Sequence, residues 1–388
     1  MLYYQHYKFI QHIFSRILGL SPWTHNKKEI CELSSVGTCY NISISLIIIL
    51  LGVYEVLDET FADKFPGKLV PLIIVKVIFI TLLCTSFIPL VYIIKQKQLI
   101  RVMNRFKDVD RVLSKCKNYE RKYDHTNIII FCTNFLTTIF LILILDACYF
   151  SIVRIFIENL PTIIGGGVMI QYAMIVNKLN NRFDIINTIF SKLGNLKVDA
   201  TPQVFTVTQV ASRRLVITDI DNLKYAFVEL CEMCQYTADF YGMSVLISIL
   251  CYAERIIFCV YLSLLPALEL GNFETLWQVT APRLIWIVFV FLMFTASITT
   301  IKKQVYRSLT DDKIVEKVIF FILLLMLLIN KIDFSSLQLS QFSIDLLHLK
   351  VEFTAYDIMP LDRTLLAIIT GTITMYLIIA IQFADSPS

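Results

Sequence analysis

The chain contains repeated apolar runs of about twenty residues, and these runs limit what it can fold into. A helix of roughly twenty residues crosses the hydrocarbon core of a membrane, whereas one soluble core cannot hide so many such runs. The predicted spans cover residues 38–57, 69–94, 127–153, 159–176, 240–268, 280–301 and 365–383. Charged residues make up only 17% of the chain, against about 25% in soluble domains. The sequence therefore predicts an all-α membrane protein with seven transmembrane helices.

The basic residues are distributed unevenly between the segments that connect these spans. Lys and Arg number 29 in residues 1–37, 95–126, 177–238 and 302–363 together, whereas the alternate connections, counted with the first turn of the sixth span, contain 4. Because Lys and Arg accumulate on the cytoplasmic side, we expect the N-terminus and the three long loops inside and the C-terminus outside. This inverted topology argues against a G-protein-coupled receptor, which has its N-terminus outside.

The long cytoplasmic segments also carry helical signals. Phe183, Ile186, Phe190 and Leu193 recur at steps of three and four residues, which is typical of one face of a helix. We expect the spans to continue as helices into the cytoplasm and to pack there as a bundle. Three consecutive glycines, residues 165–167, predict a flexible point within the fourth span.

Polar side chains interrupt the last apolar run at spaced positions. They are Thr370, Thr372, Thr374, Tyr376 and Gln382. A polar group in hydrocarbon is costly unless it reaches water or a partner, and a plain lipid anchor has no need of one. We therefore predict that this helix lines a water-filled path, as the pore helix of a channel.

The same run carries a short motif that resembles the insect gustatory receptor family. That family has Thr-Tyr, five apolar residues and then Gln-Phe in its last span. Here Tyr376 is followed by five apolar residues and then by Gln382 and Phe383. Met375 stands where the family has Thr, and Thr374 lies one residue earlier.

Residues 350–356 and 361–366 also resemble the family's lead-in to this span. The resemblance implies a ligand-gated cation channel built as a homotetramer, or as a heterotetramer with related receptors. It further implies a cytoplasmic N-terminus, a cytoplasmic anchor domain, and a central pore lined by the seventh helix of each subunit. Each subunit would have its own ligand pocket, open to the outside. Proteins of this family are similar to the insect odorant receptors.

One apolar segment does not fit the count of seven spans. Residues 318–330 read VIFFILLLMLLIN, which is too short to cross a bilayer as a helix. We interpret this segment as a buried or interfacial helix near the cytoplasmic face; a spanning helix would give eight spans and a cytoplasmic C-terminus. In the seven-span interpretation, residues 1–301 form transmembrane helices 1–6 with the ligand pocket and intervening cytoplasmic helices. Residues 302–388 would form the cytoplasmic anchor helix and the pore-lining helix.

Two adjacent faces of the last helix carry the candidate pore and gate residues. At about 100° per residue, Gly371, Met375, Ile378 and Gln382 share one face, and Thr372, Tyr376, Ile379 and Phe383 share the next, with Thr374 beside them. In a tetramer, four Gln382 amides would face a partly hydrated cation, and Ile378 below them would form a hydrophobic gate. An alternative to pore lining stays open for each polar residue. Gln382 instead forms a hydrogen bond to another helix, and Tyr376 instead packs in the bundle with its hydroxyl group hydrogen-bonded.

Candidate ligand-pocket residues are those that the predicted topology places in the outer halves of the spans. They are Lys76, Asp146, Tyr149, Tyr261 and Trp286. Intramembrane charges are costly, so Lys76 and Asp146 either pair with each other or contact a polar ligand. The aromatic residues either stack on a ligand ring or belong to an interfacial belt. Glu254 and Arg255 are adjacent within the fifth span, and each is expected to have a partner on another helix.

The sequence shows no motif for catalysis, for a metal site or for a cofactor. The basic residues are not interleaved with aromatic residues on one face, so no nucleic-acid partner is expected. We predict a multi-pass plasma-membrane protein in contact with lipid, a taste receptor that acts as a ligand-gated non-selective cation channel for a small-molecule tastant. The alternatives are an odorant receptor channel subunit and, from another class, a secondary transporter with related halves and broken helices.

Overall fold

The computed structural model is mostly helical. It describes residues 2–25, 30–57, 69–116, 119, 125–140, 152–194, 207–264, 273–310, 354–355, 359–360, 367–368, 371–372, 374–375 and 378. The helices are α1 (Leu2–Ile17), α2 (Ser35–Leu57), α3 (Leu69–Ile94), α4 (Gln96–Leu113), α5 (His125–Phe140), α6 (Ile152–Gly194), α7 (Val207–Leu264) and α8 (Phe273–Thr310). Two short antiparallel hairpins depart from the all-α prediction. They pair β1 (Trp23–His25) with β2 (Cys31–Leu33), and β3 (Thr354–Ala355) with β4 (Met359–Pro360).

Five helices in the described part of the chain are long and apolar enough to cross a membrane. They comprise Ser35–Leu57, Val75–Ile94, Ile157–Ile189, Thr218–Ile257 and Arg283–Ile301. These helices correspond to the predicted spans one, two, four, five and six. The third predicted span begins in α5, and its residues 141–151 lie outside the described residues, as do the segment 318–330 and most of the last span.

Two of the helices are much longer than a bilayer requires. Helix α6 has 43 residues and α7 has 58, which at 1.5 Å per residue gives lengths of about 65 and 87 Å. The hydrocarbon core is about 30 Å thick, so part of each helix extends beyond it. Phe183 and Ile186, two residues of the predicted periodic face, are fully buried in this part of the fold.

Ion pairs join the helices in the region where α4 packs on α6 and α7. Arg105 contacts Glu229 and Glu232 on α7, each at 2.9 Å. The Arg182 guanidinium on α6 donates to both carboxylate oxygens of Asp110 on α4, at 3.1 and 3.0 Å. This bidentate arrangement fixes orientation as well as distance. These contacts hold α4, α6 and α7 together as a helix bundle.

The chain between α1 and β1 passes through the core in neither helix nor strand. Gly19 makes this turn possible with a φ of 74°, a left-handed conformation that glycine adopts without strain. Irregular backbone inside a membrane protein must find partners within the protein. Asn41 Nδ2 donates to the Gly19 carbonyl at 2.7 Å, Gln171 Nε2 to the Leu20 carbonyl at 3.1 Å, and Gln96 Nε2 to the Pro22 carbonyl. We call residues 18–23 the buried N-terminal segment.

The prediction of a flexible point at residues 165–167 is wrong. These glycines lie in the middle of α6, which continues through them as an α-helix. A Cβ at Gly165 would lie 3.3 Å from Ser248, one at Gly166 would lie 2.7 Å from the Tyr252 hydroxyl, and one at Gly167 would lie 2.8 Å from Leu20. The missing side chains therefore serve close packing of α6 against α7 and against the buried N-terminal segment, as small residues do between membrane helices.

Substituting Gly166 with alanine is expected to destabilise the protein by about 1–3 kcal/mol, because the new methyl group overpacks a filled core. Tyr252 has little freedom to move away, since its ring is fully buried and its hydroxyl donates to the Thr162 carbonyl at 2.9 Å. Thermal melting of the detergent-solubilised chain would measure the effect. The double variant Gly166→Ala/Tyr252→Phe should lose less stability than the two single variants together. A cost in the double variant equal to that sum would contradict the contact.

Candidate functional site: a charged cavity between four helices

A cavity lies where α5, α6, α7 and α8 meet, with a space of about 410 Å³ that includes the part open to the surface. Its lining consists of Thr138 from α5; Glu158, Asn159, Thr162 and Ile163 from α6; Arg255 and Cys259 from α7; and Arg283, Trp286 and Ile287 from α8. We call it the outer cavity, because the predicted topology places most of these residues in the outer halves of their spans. Its size is in the range of small-molecule pockets, which are typically about 300–1,000 Å³.

Backbone carbonyls of α6 form part of the polar lining, and side chains from α7 donate to them. Arg255 donates to the Glu158 carbonyl, and the Tyr252 hydroxyl donates to the Thr162 carbonyl at 2.9 Å. Pro161 lies between these two residues and has no N–H, so the carbonyl of Ile157 also lacks its usual helical partner. This side of α6 is therefore a polar wall of the cavity.

Ionised side chains lie on the cavity wall. Arg283 contacts the Glu158 carboxylate at 3.1 Å, and their side chains are only 13% and 9% exposed. Arg255 is 5% exposed. Charges removed from water to this extent are costly unless they are paired and hydrogen-bonded. Two guanidinium groups and one carboxylate among the described lining residues give this wall a net positive charge.

An aromatic residue forms another part of the cavity wall. Trp286 is 5% exposed, and its ring meets Tyr252 edge-on, with 6.2 Å between the centroids and 75° between the planes. Tyr252 in turn contacts Phe291 at 5.5 Å. Edge-to-face contacts of this kind stabilise a fixed ring orientation. The cavity therefore combines a rigid apolar wall with a few directional polar groups, which is the usual composition of a ligand pocket.

The structure brings one of the predicted pocket residues to this cavity. Trp286 lines it, whereas Lys76 is exposed on α3 and is not among the lining residues. Tyr261 belongs to α7, but its side chain lies outside the described part, as do Asp146 and Tyr149 entirely. The proposed pairing of Lys76 with Asp146 stays a prediction.

The two adjacent charges of the fifth span both have partners on other helices, as expected. Glu254 accepts a hydrogen bond from the Thr81 hydroxyl of α3 at 3.1 Å, and Arg255 bonds the Glu158 carbonyl of α6. Sequence reasoning missed Arg283, although its position at the edge of an apolar run marks it as an intramembrane charge. It also missed Thr138, Asn159 and Thr162, which carry no signal of their own.

The described residues of the last span are helical and share an uncovered surface. Residues 367–368, 371–372, 374–375 and 378 are all exposed, Met375 to 64% and Ile378 to 52%. A Cβ at Gly371 would meet no atom of the described residues within 4 Å. Tyr376, Gln382 and Phe383 lie outside the described residues.

The chain is similar to known chemosensory receptors. A solved insect olfactory receptor, OR5 from Machilis hrabei, matches 98% of this chain and 99% of its own, with a TM-score of 0.64 and 12% identity. The structure of OR5 in complex with eugenol matches 98% of each chain, with a TM-score of 0.62 and 13% identity. At such identities the likeness shows the fold alone.

A curated relative, the putative gustatory receptor 28b of Drosophila melanogaster, is 50% identical over 52 residues. The matched stretch covers 13% of this chain and 11% of the relative. The model of the 7tm chemosensory receptor family matches residues 9–386. Since that match runs over nearly the whole chain, on a membrane-type helical fold, this membrane protein belongs to the 7tm chemosensory receptor family, whose members are receptors and not enzymes.

Proposed function

We propose that this receptor is a ligand-gated, non-selective cation channel of the plasma membrane that responds to a small-molecule tastant. The outer cavity is the observation that carries the proposal. It is enclosed by four helices, has an aromatic wall at Trp286 and contains the Glu158–Arg283 ion pair. A tastant that binds there contacts four helices at once, so it can favour one arrangement of those helices over another.

The proposed topology has seven spans, a cytoplasmic N-terminus and an extracellular C-terminus. The distribution of basic residues supports this orientation, and the length of α6 and α7 supports a cytoplasmic anchor domain. Residues 1–301 form the ligand-binding part of this plan. Residues 302–388 form the anchor helix and the pore helix, with 318–330 on the cytoplasmic side.

The proposed working unit is a homotetramer, or a heterotetramer with related receptors, embedded in lipid. Four copies of the last helix surround the pore, and Gln382 and Ile378 form its polar ring and its hydrophobic gate. The exposure of Met375 and Ile378 in a single chain supports an uncovered face that neighbouring copies would complete. In this proposal Thr374, Tyr376 and Phe383 would lie beside this face, toward the adjacent helices.

The two alternative functions, an odorant receptor channel subunit and a secondary transporter, make different demands on the structure. An odorant receptor channel subunit shares this architecture, as the likeness to OR5 illustrates, and volatile rather than dissolved ligands would distinguish it. A secondary transporter would need helices that break near the midplane. The unbroken course of α6 through residues 165–167 weighs against that alternative.

The channel proposal predicts that Gln382→Ala changes ion permeation. The chain is expressed alone, and a panel of sugars, alkaloids and amino acids is applied while currents are recorded. Loss of the amide ring should change the unitary conductance and the Ca²⁺ to Na⁺ permeability ratio, because the amide oxygens would no longer substitute for water around the cation. Gln98→Ala on α4 is the matched control. Permeation unchanged by Gln382→Ala would contradict the role of this ring.

A further inference from the structure

A second cavity lies on another face of α6, between α1 and α5. Its space measures about 360 Å³, including the part that opens at the surface. Phe14 and Ser15 of α1, Phe131 and Asn134 of α5, and Gly167 and Met174 of α6 are among its lining residues. The predicted topology places Phe131, Asn134 and Met174 in the inner halves of their spans and Phe14 and Ser15 on the cytoplasmic side, so we call it the inner cavity.

The inner cavity has a rigid aromatic wall. Phe14 meets Phe131 and Phe135 edge-on, with centroids 5.8 and 5.3 Å apart. Phe131 and Phe135 stack with an interplanar angle of 13°. Contacts between three rings restrict the side chains that form the wall. The space is therefore a defined feature of the packing between α1 and α5.

One polar group points to what the cavity accepts. Asn134 is 7% exposed, and its Nδ2 has no hydrogen-bond partner among the described residues. Its Oδ1 is already used, since it accepts from the Thr138 hydroxyl at 3.1 Å. A buried amide donor that is left unpaired is unfavourable, so an acceptor placed in the cavity would be stabilised there.

The remaining lining limits the ligand further. The described lining residues are apolar, hydroxyl or amide side chains, and none of them is ionised. The amide of Gln171, which also lines the cavity, is committed to the Leu20 carbonyl and the Tyr92 hydroxyl. Helices α1 and α5 also carry exposed apolar side chains, among them Ile10 and Leu136, so an apolar molecule can approach along them from the bilayer.

The two cavities share a hydrogen bond. Thr138 lines the outer cavity, and Asn134, one helical turn earlier on α5, lines the inner one. The bond from Thr138 to Asn134 therefore joins the two linings directly. This bond is a physical link between the Asn134 amide and a side chain that lines the outer cavity.

We propose that the inner cavity is a second binding site for a neutral, apolar chain or ring with one hydrogen-bond acceptor, such as an acyl ester. Asn134 Nδ2 donates to the acceptor, the Phe14–Phe131–Phe135 wall contacts the apolar part, and Thr138 transmits occupancy to the outer cavity. Binding itself is independent of the proposed channel function, whereas the effect on ligand response rests on it.

Thermal melting of the purified full-length chain in detergent tests the binding. Methyl decanoate and dodecane have similar length, and only the ester has an acceptor. The ester should protect the wild type more than the alkane does, and Asn134→Leu should lower the apparent affinity for the ester by about tenfold, the loss of one hydrogen bond to a buried donor. Ser15→Leu, which fills the cavity, should remove protection by both probes. Asn187→Leu replaces a buried asparagine of α6, away from the cavity lining, and should keep the preference for the ester.

Equal protection by the alkane and the ester, or an ester preference that survives Asn134→Leu, would overturn the proposal. Photolabelling in nanodiscs then separates two sources of the same chemistry. A diazirine chain carried by phosphatidylcholine that labels Phe131 or Phe135 identifies a bilayer lipid, and labelling by the free diazirine ester alone identifies a diffusing compound. Absence of label from both would also overturn it.

The variant Thr138→Val tests the coupling. It should keep the melting response to methyl decanoate but remove any shift that the ester causes in the tastant concentration for half-maximal current. An ester-induced shift that persists in Thr138→Val overturns the coupling. Melting protection in a chain that conducts no current, either alone or co-expressed with related receptors, would instead refute the channel proposal and leave the binding site standing.

Discussion

Replacing Arg283 with methionine is expected to abolish the response to ligand and to destabilise the receptor by about 3–5 kcal/mol. The substitution leaves the Glu158 carboxylate, which is 9% exposed, without the guanidinium that lies 3.1 Å from it. Breaking a buried pair from one side costs more than the pair contributes, because a desolvated charge remains. Methionine retains much of the side-chain volume, so the effect reports on charge rather than on a cavity.

A double-mutant cycle separates this cause from other effects of the substitution. In Glu158→Gln/Arg283→Met both charges are absent, and most of the lost stability should return. Thermal melting and ligand-evoked currents would be measured for all four proteins. Arg111→Met is the matched control, since its pair with Asp108 is 71% and 52% exposed and should contribute less than about 1 kcal/mol. If Arg283→Met melted like Arg111→Met, the outer cavity would not depend on this pair.

The spans could be predicted from the sequence because the thickness of the bilayer sets the length of any helix that crosses it. A bilayer imposes about twenty apolar residues on any crossing helix, and the predicted 38–57 and 280–301 agree closely with Ser35–Leu57 and Arg283–Ile301. The two short hairpins were not predicted. A strand of three residues, such as Trp23–His25, is too short to produce a recognisable alternation.

The role of the glycine run could not be predicted for a different reason. A missing side chain permits either backbone freedom or close packing, and the choice depends on what approaches it. At Gly166 the approaching groups are Tyr252 and Trp286, which lie far away in the sequence. No local pattern carries that information, so the prediction of flexibility rested on composition alone.

The outer cavity was predictable only in part. Because burying a charge within the membrane is unfavourable, the sequence indicates that Arg255 needs a partner. The aromatic ring of Trp286 was a reasonable candidate for a ligand contact. The partner of Arg255 is a backbone carbonyl beside Pro161, and backbone acceptors look the same at every residue of a sequence. Which carbonyl is available becomes clear only when the packing of α6 against α7 is known.

Replacing Gln171 with leucine is expected to destabilise the receptor by about 2–6 kcal/mol, because it leaves two buried polar groups unpaired at about 1–3 kcal/mol each. Gln171 Nε2 donates to the Leu20 carbonyl at 3.1 Å, and the Tyr92 hydroxyl donates to Gln171 Oε1 at 2.7 Å. Leucine has a similar size but neither donates nor accepts. The buried N-terminal segment would then lose its hydrogen bond to α6, and the folded fraction in detergent should fall.

Comparison with a partly exposed glutamine isolates the effect of burial. Gln98 donates to the Tyr236 carbonyl at 3.0 Å in a part-buried position, where water can replace the lost bond, so Gln98→Leu should change the melting temperature little. Adding Tyr92→Phe to Gln171→Leu removes one of the two unpaired groups and should restore part of the stability. A Gln171→Leu variant that melts like Gln98→Leu would show that water reaches residues 18–23. The buried N-terminal segment would then not be the dry, hydrogen-bonded connection that its three side-chain donors indicate.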